Sequence, residues 1–115
     1  MDGRFSRTER IFGADGMERL KNAHVAVFGV GGVGSYIAEG LARSGVGHID
    51  LIDSDDVDIT NLNRQIEALT DTVGRPKAAV MKERILQINP ECDVTVHECF
   101  FLPENSDSLD RKSVV

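Results

Sequence analysis

At 115 residues the chain has the length of one small domain. Its 41% hydrophobic and 28% charged content is ordinary for a soluble globular protein, and no apolar run reaches the length of a membrane helix. A net charge of −6 argues against a general nucleic-acid-binding surface and leaves room only for a local basic site.

The opening Met1-Asp2-Gly3-Arg4-Phe5-Ser6-Arg7 lacks the apolar core of a signal peptide, so the expected location is the cytoplasm. Residues 7–22 mix charged positions with Ile11, Phe12, Met17 and Leu20 and predict short helical pieces broken at Gly13 and Gly16. His24-Val25-Ala26-Val27-Phe28-Gly29-Val30 is apolar, β-branched and ends in glycine, as suits a strand buried on both faces of a parallel sheet. Val33 to Arg43 is helical, with Ile37, Ala38, Leu41 and Ala42 as its apolar stripe and Ser44-Gly45 as its stop. His48-Ile49-Asp50-Leu51-Ile52 predicts a second strand, running into the acidic Asp53-Ser54-Asp55-Asp56-Val57-Asp58. Pro76 opens a second helix and Pro90 closes it, with Ala78, Met81, Ile85 and Ile88 on its buried face. A third strand is expected near Asp93-Val94-Thr95-Val96-His97.

The alternation predicts the α/β class: a Rossmann-like parallel sheet with helices on both faces, of which only the N-terminal half is present. The chain divides into a helical arm, residues 1–23, and a nucleotide-binding half-domain, residues 24–115. The polar Ser106-Asp107-Ser108-Leu109-Asp110-Arg111-Lys112-Ser113 is followed by no fourth strand. An open sheet edge and an uncovered apolar face are therefore expected, and the chain reads as a fragment or as a domain that needs a partner.

Gly29-Val30-Gly31-Gly32-Val33-Gly34 matches G-x-G-x-x-G between strand and helix. Gly29 permits the tight turn, Gly31 lets a phosphate approach the backbone, and Gly34 lets the helix pack on the strand. The helix N-terminus behind them offers N–H groups to an anion. Asp53, at the end of the second strand, stands where an acid would bind ribose hydroxyls. This much says only adenine nucleotide, and NAD is the usual owner. Lys77 follows Pro76 in the first turn of its helix, where a cation faces the positive end of the dipole. A bound polyphosphate would reverse that cost. Arg64 lies in a polar loop past the C-terminal end of the second strand, the edge where ligands of open α/β sheets bind.

Gly29 to Gly34, Asp53-Ser54-Asp55-Asp56-Val57, Asn61-Leu62-Asn63-Arg64-Gln65 and Gly74-Arg75-Pro76-Lys77 follow one another in a familiar order. In that order and spacing they resemble the ubiquitin-activating-enzyme superfamily, whose bacterial branch holds the HesA, MoeB and ThiF proteins. The resemblance runs over residues 4–102. It implies ATP and Mg²⁺ as cofactors and a nucleotide site of Gly29, Gly31, Gly32, Gly34, Asp53, Asp55, Asn61, Arg64, Gln65 and Lys77. Asp53 would hold the ribose, and Asn61, Arg64 and Lys77 the triphosphate. Arg4-Phe5-Ser6-Arg7 looks like the family's R-[FY]-x-R segment, so Arg7 would reach the partner's ATP in a homodimer. Arg7, Arg64 and Lys77 are thus the catalytic candidates.

Thr60-Asn61-Leu62-Asn63-Arg64-Gln65-Ile66-Glu67-Ala68-Leu69 resembles most closely the T-N-x-N-R-Q-I-x-A-L of the branch that dehydrates threonylcarbamoyladenosine in tRNA. Ile88-Asn89-Pro90-Glu91-Cys92 looks like that branch too. The implied reaction is adenylation of the threonyl carboxylate, then cyclisation with loss of AMP, so no nucleophilic thiol is needed. The runner-up is adenylation of a ubiquitin-like or sulfur-carrier protein, with a carrier or sulfur-transfer protein as partner. A nicotinamide-dependent dehydrogenase domain and a catalytically silent fragment are the alternatives of another class. Cys92 and Cys99 have the spacing of neither a zinc clip nor a redox pair. Asp55, Asp56 and Asp58 match no calcium loop and read as a solvated turn, so no residue is assigned to metal. The family's magnesium-binding aspartate and acceptor site are expected beyond Val115, which predicts weak nucleotide binding and no turnover for these residues alone.

Overall fold

The computed structural model describes residues 3–98. Three strands, β1 (His24–Phe28), β2 (His48–Ile52) and β3 (Asp93–His97), form a parallel sheet in the order β1-β2-β3. Their registers pair His24 with His48 and His48 with Asp93 at the start, and Phe28 with Ile52 and Ile52 with His97 at the end. The strands stop level with one another, so everything that follows them emerges along one edge.

α1 (Ser6–Asn22) precedes the sheet, α2 (Gly32–Ser44) links β1 to β2, and α3 (Lys77–Ile88) links β2 to β3. α1 bends at Gly13, whose φ of 74° leaves the helical region. Gly16, by contrast, stays helical, so one of the two expected breaks is absent. With no Cβ, Gly13 adopts the left-handed φ without strain, whereas Gly16 has ordinary helical neighbours and no reason to leave. α2 ends on Gly45 in the left-handed conformation, as its sequence requires. α3 begins directly after Pro76 and stops at Asn89, one residue before Pro90.

Alternate strand residues Val27, Ile49, Leu51 and Val94 meet Ala38 and Ala42 of α2 and Ala78, Met81 and Ile85 of α3 in a single buried cluster. The three alanines let the helices approach the sheet and each other closely. Two crossovers that step in the same direction across a sheet deliver both helices to the same face, and α2 and α3 share this one. In a doubly wound sheet the second face is covered where strand order reverses, and among the described residues no such reversal occurs. On that face Ala26 and Ile52 form a small cluster of their own, and the buried Asp50 accepts a hydrogen bond from or pairs with His24 Nε2 at 3.0 Å.

Glu39 of α2 joins the two helices, pairing with Arg84 of α3 and, at 3.3 Å, with Arg43 one turn on. Among the described residues no helix is long and apolar enough to cross a membrane.

Two outcomes are expected. Met81→Ala, which empties a fully buried position, should cost roughly 2–5 kcal/mol in denaturant unfolding. Burial raises the Glu39 carboxyl, but Arg84 and Arg43 outweigh it and hold the group below its ordinary value of 4.5. A depressed folded value means stability present above 4.5 and lost as pH falls through and below it. Melting curves of the wild type should therefore converge on those of Glu39→Gln in acid and exceed them near neutrality.

Candidate functional site

The C-terminal edge of the sheet gathers the sequence's candidates. β1 runs into Gly29, which takes φ 90° and donates its N–H to Ile52 O at 2.8 Å. Gly34 is forced: a Cβ there would fall 1.7 Å from the Gly29 carbonyl oxygen. Around Gly29 and Gly32 a side chain would meet open space, and at Gly31 only Gln65 Nε2, 3.7 Å away. No side chain caps α2. The uncapped N–H groups of its first turn therefore face a surface that glycines have kept clear, which is the arrangement an anion needs.

Asp53 binds this turn to the next loop. Its Oδ2 accepts the Val30 N–H at 2.7 Å and its Oδ1 the Asp55 N–H, also at 2.7 Å. Asp55 uses its backbone: its carbonyl accepts the Lys77 N–H at 3.0 Å. Val57 and residues 74–75 exchange two further backbone bonds of 2.8 Å, and Asp56 bridges Pro76. The acidic loop is thus laced to the start of α3, and Lys77 is carried to the same edge.

Between them, residues 59–61 form a 3-10 turn closed at its start by a reciprocal capping box, with Asp58 Oδ1 accepting from Thr60 N and Asn61 Oδ1 accepting from Asp58 N. The Thr60 bonds hold the Asp58 carboxyl below its usual value. Asn61 is buried, and with its carbonyl so used its amide NH₂ is the part left for a ligand. Gln65 is buried as well, and its Oε1 has no hydrogen-bond partner. Arg64 is exposed. Its Nη1 donates to Thr60 O and Asn63 Oδ1, both at 2.9 Å, which fixes the guanidinium with further N–H donors to spare.

Lys77 is 8% exposed, a buried cation at a helix N-terminus. Its charge acts on Asp58 and Glu67. Glu67 is the residue that sequence reasoning missed. It is fully buried, and neither carboxyl oxygen has a hydrogen-bond partner. Burial pushes its carboxyl above the ordinary value. Its only signal in the sequence was its place between Ile66 and Ala68, an apolar pair in a polar loop.

Arg7 is not brought to this edge. It stands exposed near the start of α1, two residues from Phe5, which packs by Gly45 at the opposite edge. α1 ends there too, with Gly47 so close that a Cβ would fall 1.8 Å from Lys21 O. The hollow lined by Arg4, Phe5, Arg43, Arg84, Gln87 and Ile88, about 490 Å³, also lies at that far edge and holds none of the nucleotide candidates. Cys92 is part of the core, and burial pushes its thiol up to about 11. Cys99 lies outside the described residues. Among the described residues no group of three His, Cys, Asp or Glu side chains is placed to hold a metal ion.

Comparison with known proteins bears on the same residues. Residues 5–113 match the model of the ThiF family. The chain is 60% identical over 105 residues to the tRNA threonylcarbamoyladenosine dehydratase of Bacillus subtilis, covering 91% of this chain and 41% of that protein. It is 57% identical over 102 residues to the Escherichia coli protein of the same name, covering 89% and 38%. A crystal structure of E. coli tRNA N6-threonylcarbamoyladenosine dehydratase in complex with ATP superposes with a TM-score of 0.92 at 54% identity, over 94% of this chain and 44% of that one. The chain therefore spans about two fifths of the length of the curated relatives it matches.

Asp53→Asn should loosen the edge. An amide offers one acceptor oxygen where the carboxylate offers two, and turns its NH₂ toward a backbone N–H. With Asp53 partly exposed, a loss near the lower end of roughly 1.5–3 kcal/mol is expected in chemical unfolding.

Proposed function

Because the chain belongs to the ThiF family, we propose that it is the nucleotide-binding part of an ATP-dependent adenylating enzyme whose substrate carboxylate is that of threonylcarbamoyladenosine in tRNA. The observation that carries the reading is Lys77: a buried ammonium at a helix N-terminus, on the same edge as an uncapped α2 and a glycine turn. A dinucleotide site would use the glycines and Asp53 and leave Lys77 and Arg64 idle. A triphosphate uses all of them. The ATP complex of the E. coli relative and the 60% identity to the B. subtilis dehydratase support the same choice of nucleotide and acceptor.

In this reading the α2 N–H groups and Gly31 receive phosphate oxygens, Asn61 and Gln65 add amide donors, and Asp53 keeps acceptor capacity for the ribose. The substrate carboxylate oxygen attacks the α-phosphorus, and the bond to the β,γ-phosphates breaks to release pyrophosphate. A nucleophile of the same modified side chain then displaces AMP from the acyl adenylate, and the net change is loss of water. Two anions must meet in the first step. Arg64 and Lys77 neutralise that charge from this edge. Arg7, a sheet's length away in its own chain, serves the site of a second copy, so the enzyme acts as a homodimer. Exposed Ile11 and Phe12 on α1 give that contact an apolar surface. Mg²⁺ accompanies the ATP as its charge partner; the described residues provide no ligand set for it, and it is assigned none. Residues 1–23 act as the dimer arm, residues 24–115 as the nucleotide half-domain, and the protein works in the cytoplasm. A thiol at about 11 keeps Cys92 out of the chemistry.

Calorimetric titration with ATP and with NAD tests the nucleotide. ATP binding without NAD binding is expected, weakened roughly tenfold or more by Lys77→Ala and by Arg64→Ala. NAD binding instead would sink the adenylation reading. Pyrophosphate release that depends on the modified tRNA is expected for the acceptor; release driven by a carrier-protein C-terminus would move the assignment to protein activation.

A further inference from the structure

A net charge of −6 leaves room for tRNA only at a local basic site, and the fold assembles one away from the nucleotide edge. The hollow of about 490 Å³ at the far edge takes Arg4 from the start of the chain, Arg43 from the last turn of α2, and Arg84 and Gln87 from α3. Among the described residues it is lined by no acid. The next hollow along, across the shared Phe5, has Glu9, Glu18 and Glu91 in its wall, so the positive character is confined to the first. Glu39 stands behind the arginines and takes the Nε of Arg43, at 3.3 Å, and that of Arg84. One carboxylate thus answers two guanidiniums, and a positive charge is left over before Arg4 is added. The Glu39 side chain is 18% exposed, against 57% for Arg43 and 38% for Arg84. The anchor lies inside and the forks outside, each with four N–H donors on its Nη atoms.

A staple between α2 and α3 requires only Glu39 and Arg84, so Arg43 and Arg4 are surplus to it. Helix C-termini face this edge and disfavour an anion. An anion here is therefore held by side chains alone, and planar guanidiniums match phosphate oxygens two at a time. Strands of five residues set the hollow roughly 17 Å from the glycine turn. A free nucleotide at one edge does not reach the other, whereas a polynucleotide carries phosphates to both. We propose that this hollow holds a backbone phosphate of the tRNA, with Arg4, Arg43 and Arg84 as its ligands and Glu39 as the positioning residue behind them. The inference rests on the reading of tRNA as the acceptor. A phosphate contact fixes register and adds affinity without reading sequence, so the hollow serves tRNA with or without the modified nucleoside.

Fluorescence anisotropy of labelled, unmodified tRNA, titrated with the whole chain at several salt concentrations, tests the hollow without needing turnover. Arg43→Gln and Arg4→Gln should each weaken binding roughly fivefold to tenfold and lower the slope of log affinity against log salt by about 1. Arg43→Lys, which keeps the charge and loses the fork, should recover the slope and only part of the affinity. Arg19→Gln removes an exposed arginine that stands with Asp15 and Glu18 on the outer side of α1, and should change nothing. Thermal melts of the variants check that the fold persists. Unchanged tRNA affinity in Arg43→Gln and Arg4→Gln overturns the proposal, as does an equal loss in Arg19→Gln or no tRNA binding by the wild type. Arginine-dependent binding of inorganic phosphate without binding of tRNA overturns the choice of a polynucleotide. Arginine-dependent tRNA binding with no pyrophosphate release from modified tRNA would support the hollow and sink the acceptor reading. Pyrophosphate release driven by modified tRNA, with tRNA affinity equal in all variants, would keep that reading and overturn the hollow.

Discussion

The carboxylate of Asp53 is the constraint on which the C-terminal edge depends. One side chain accepts from the turn that follows β1 and from the loop that follows β2, each at 2.7 Å. Those two segments are separated by all of α2 and β2 in sequence, and both must keep a fixed position for a phosphate to be cradled. Backbone bonds then extend the hold from residue 55 to Lys77 and from residue 57 to residues 74 and 75. A chain of short contacts thus converts a sheet's register into the placement of an ammonium group. The site is held by main-chain geometry first, and the side chains that would touch a nucleotide stand on that frame.

Much of this was legible because it comes from periodicity and from residues whose backbone needs are unambiguous. β2 and β3 appear over the residues expected, Pro76 and Gly45 bound their helices, and Gly34 is required by an overlap no side chain can avoid. β1 is shorter than its apolar run, since Gly29 turns away at φ 90° and Val30 is taken by Asp53 instead of by the sheet. Gly16 illustrates the opposite limit. Glycine permits a break without demanding one, and only the local packing decides.

The burial of Glu67 was barely legible, since its place between Ile66 and Ala68 is the only local sign that its carboxyl packs inward. Arg7 differs: its motif assigned it to the ATP of a second copy, and its place at the edge away from its own chain's glycine turn leaves that assignment standing as a proposal. Asn61 adds a further lesson, because its carbonyl caps its own loop and so limits it to donating toward a ligand.

The buried thiol of Cys92 has a use apart from catalysis. It sits in the same cluster as Val94, Met81 and Ile85, below solvent reach and with its proton tightly kept. A sulfur in that position can be alkylated only during the moments when β3 and α3 part. Its rate of modification is therefore a clock for breathing of the core, built into the chain without any added label. Slowing of that clock by a nucleotide bound at the far ends of the strands would measure how firmly the edge and the core move as one.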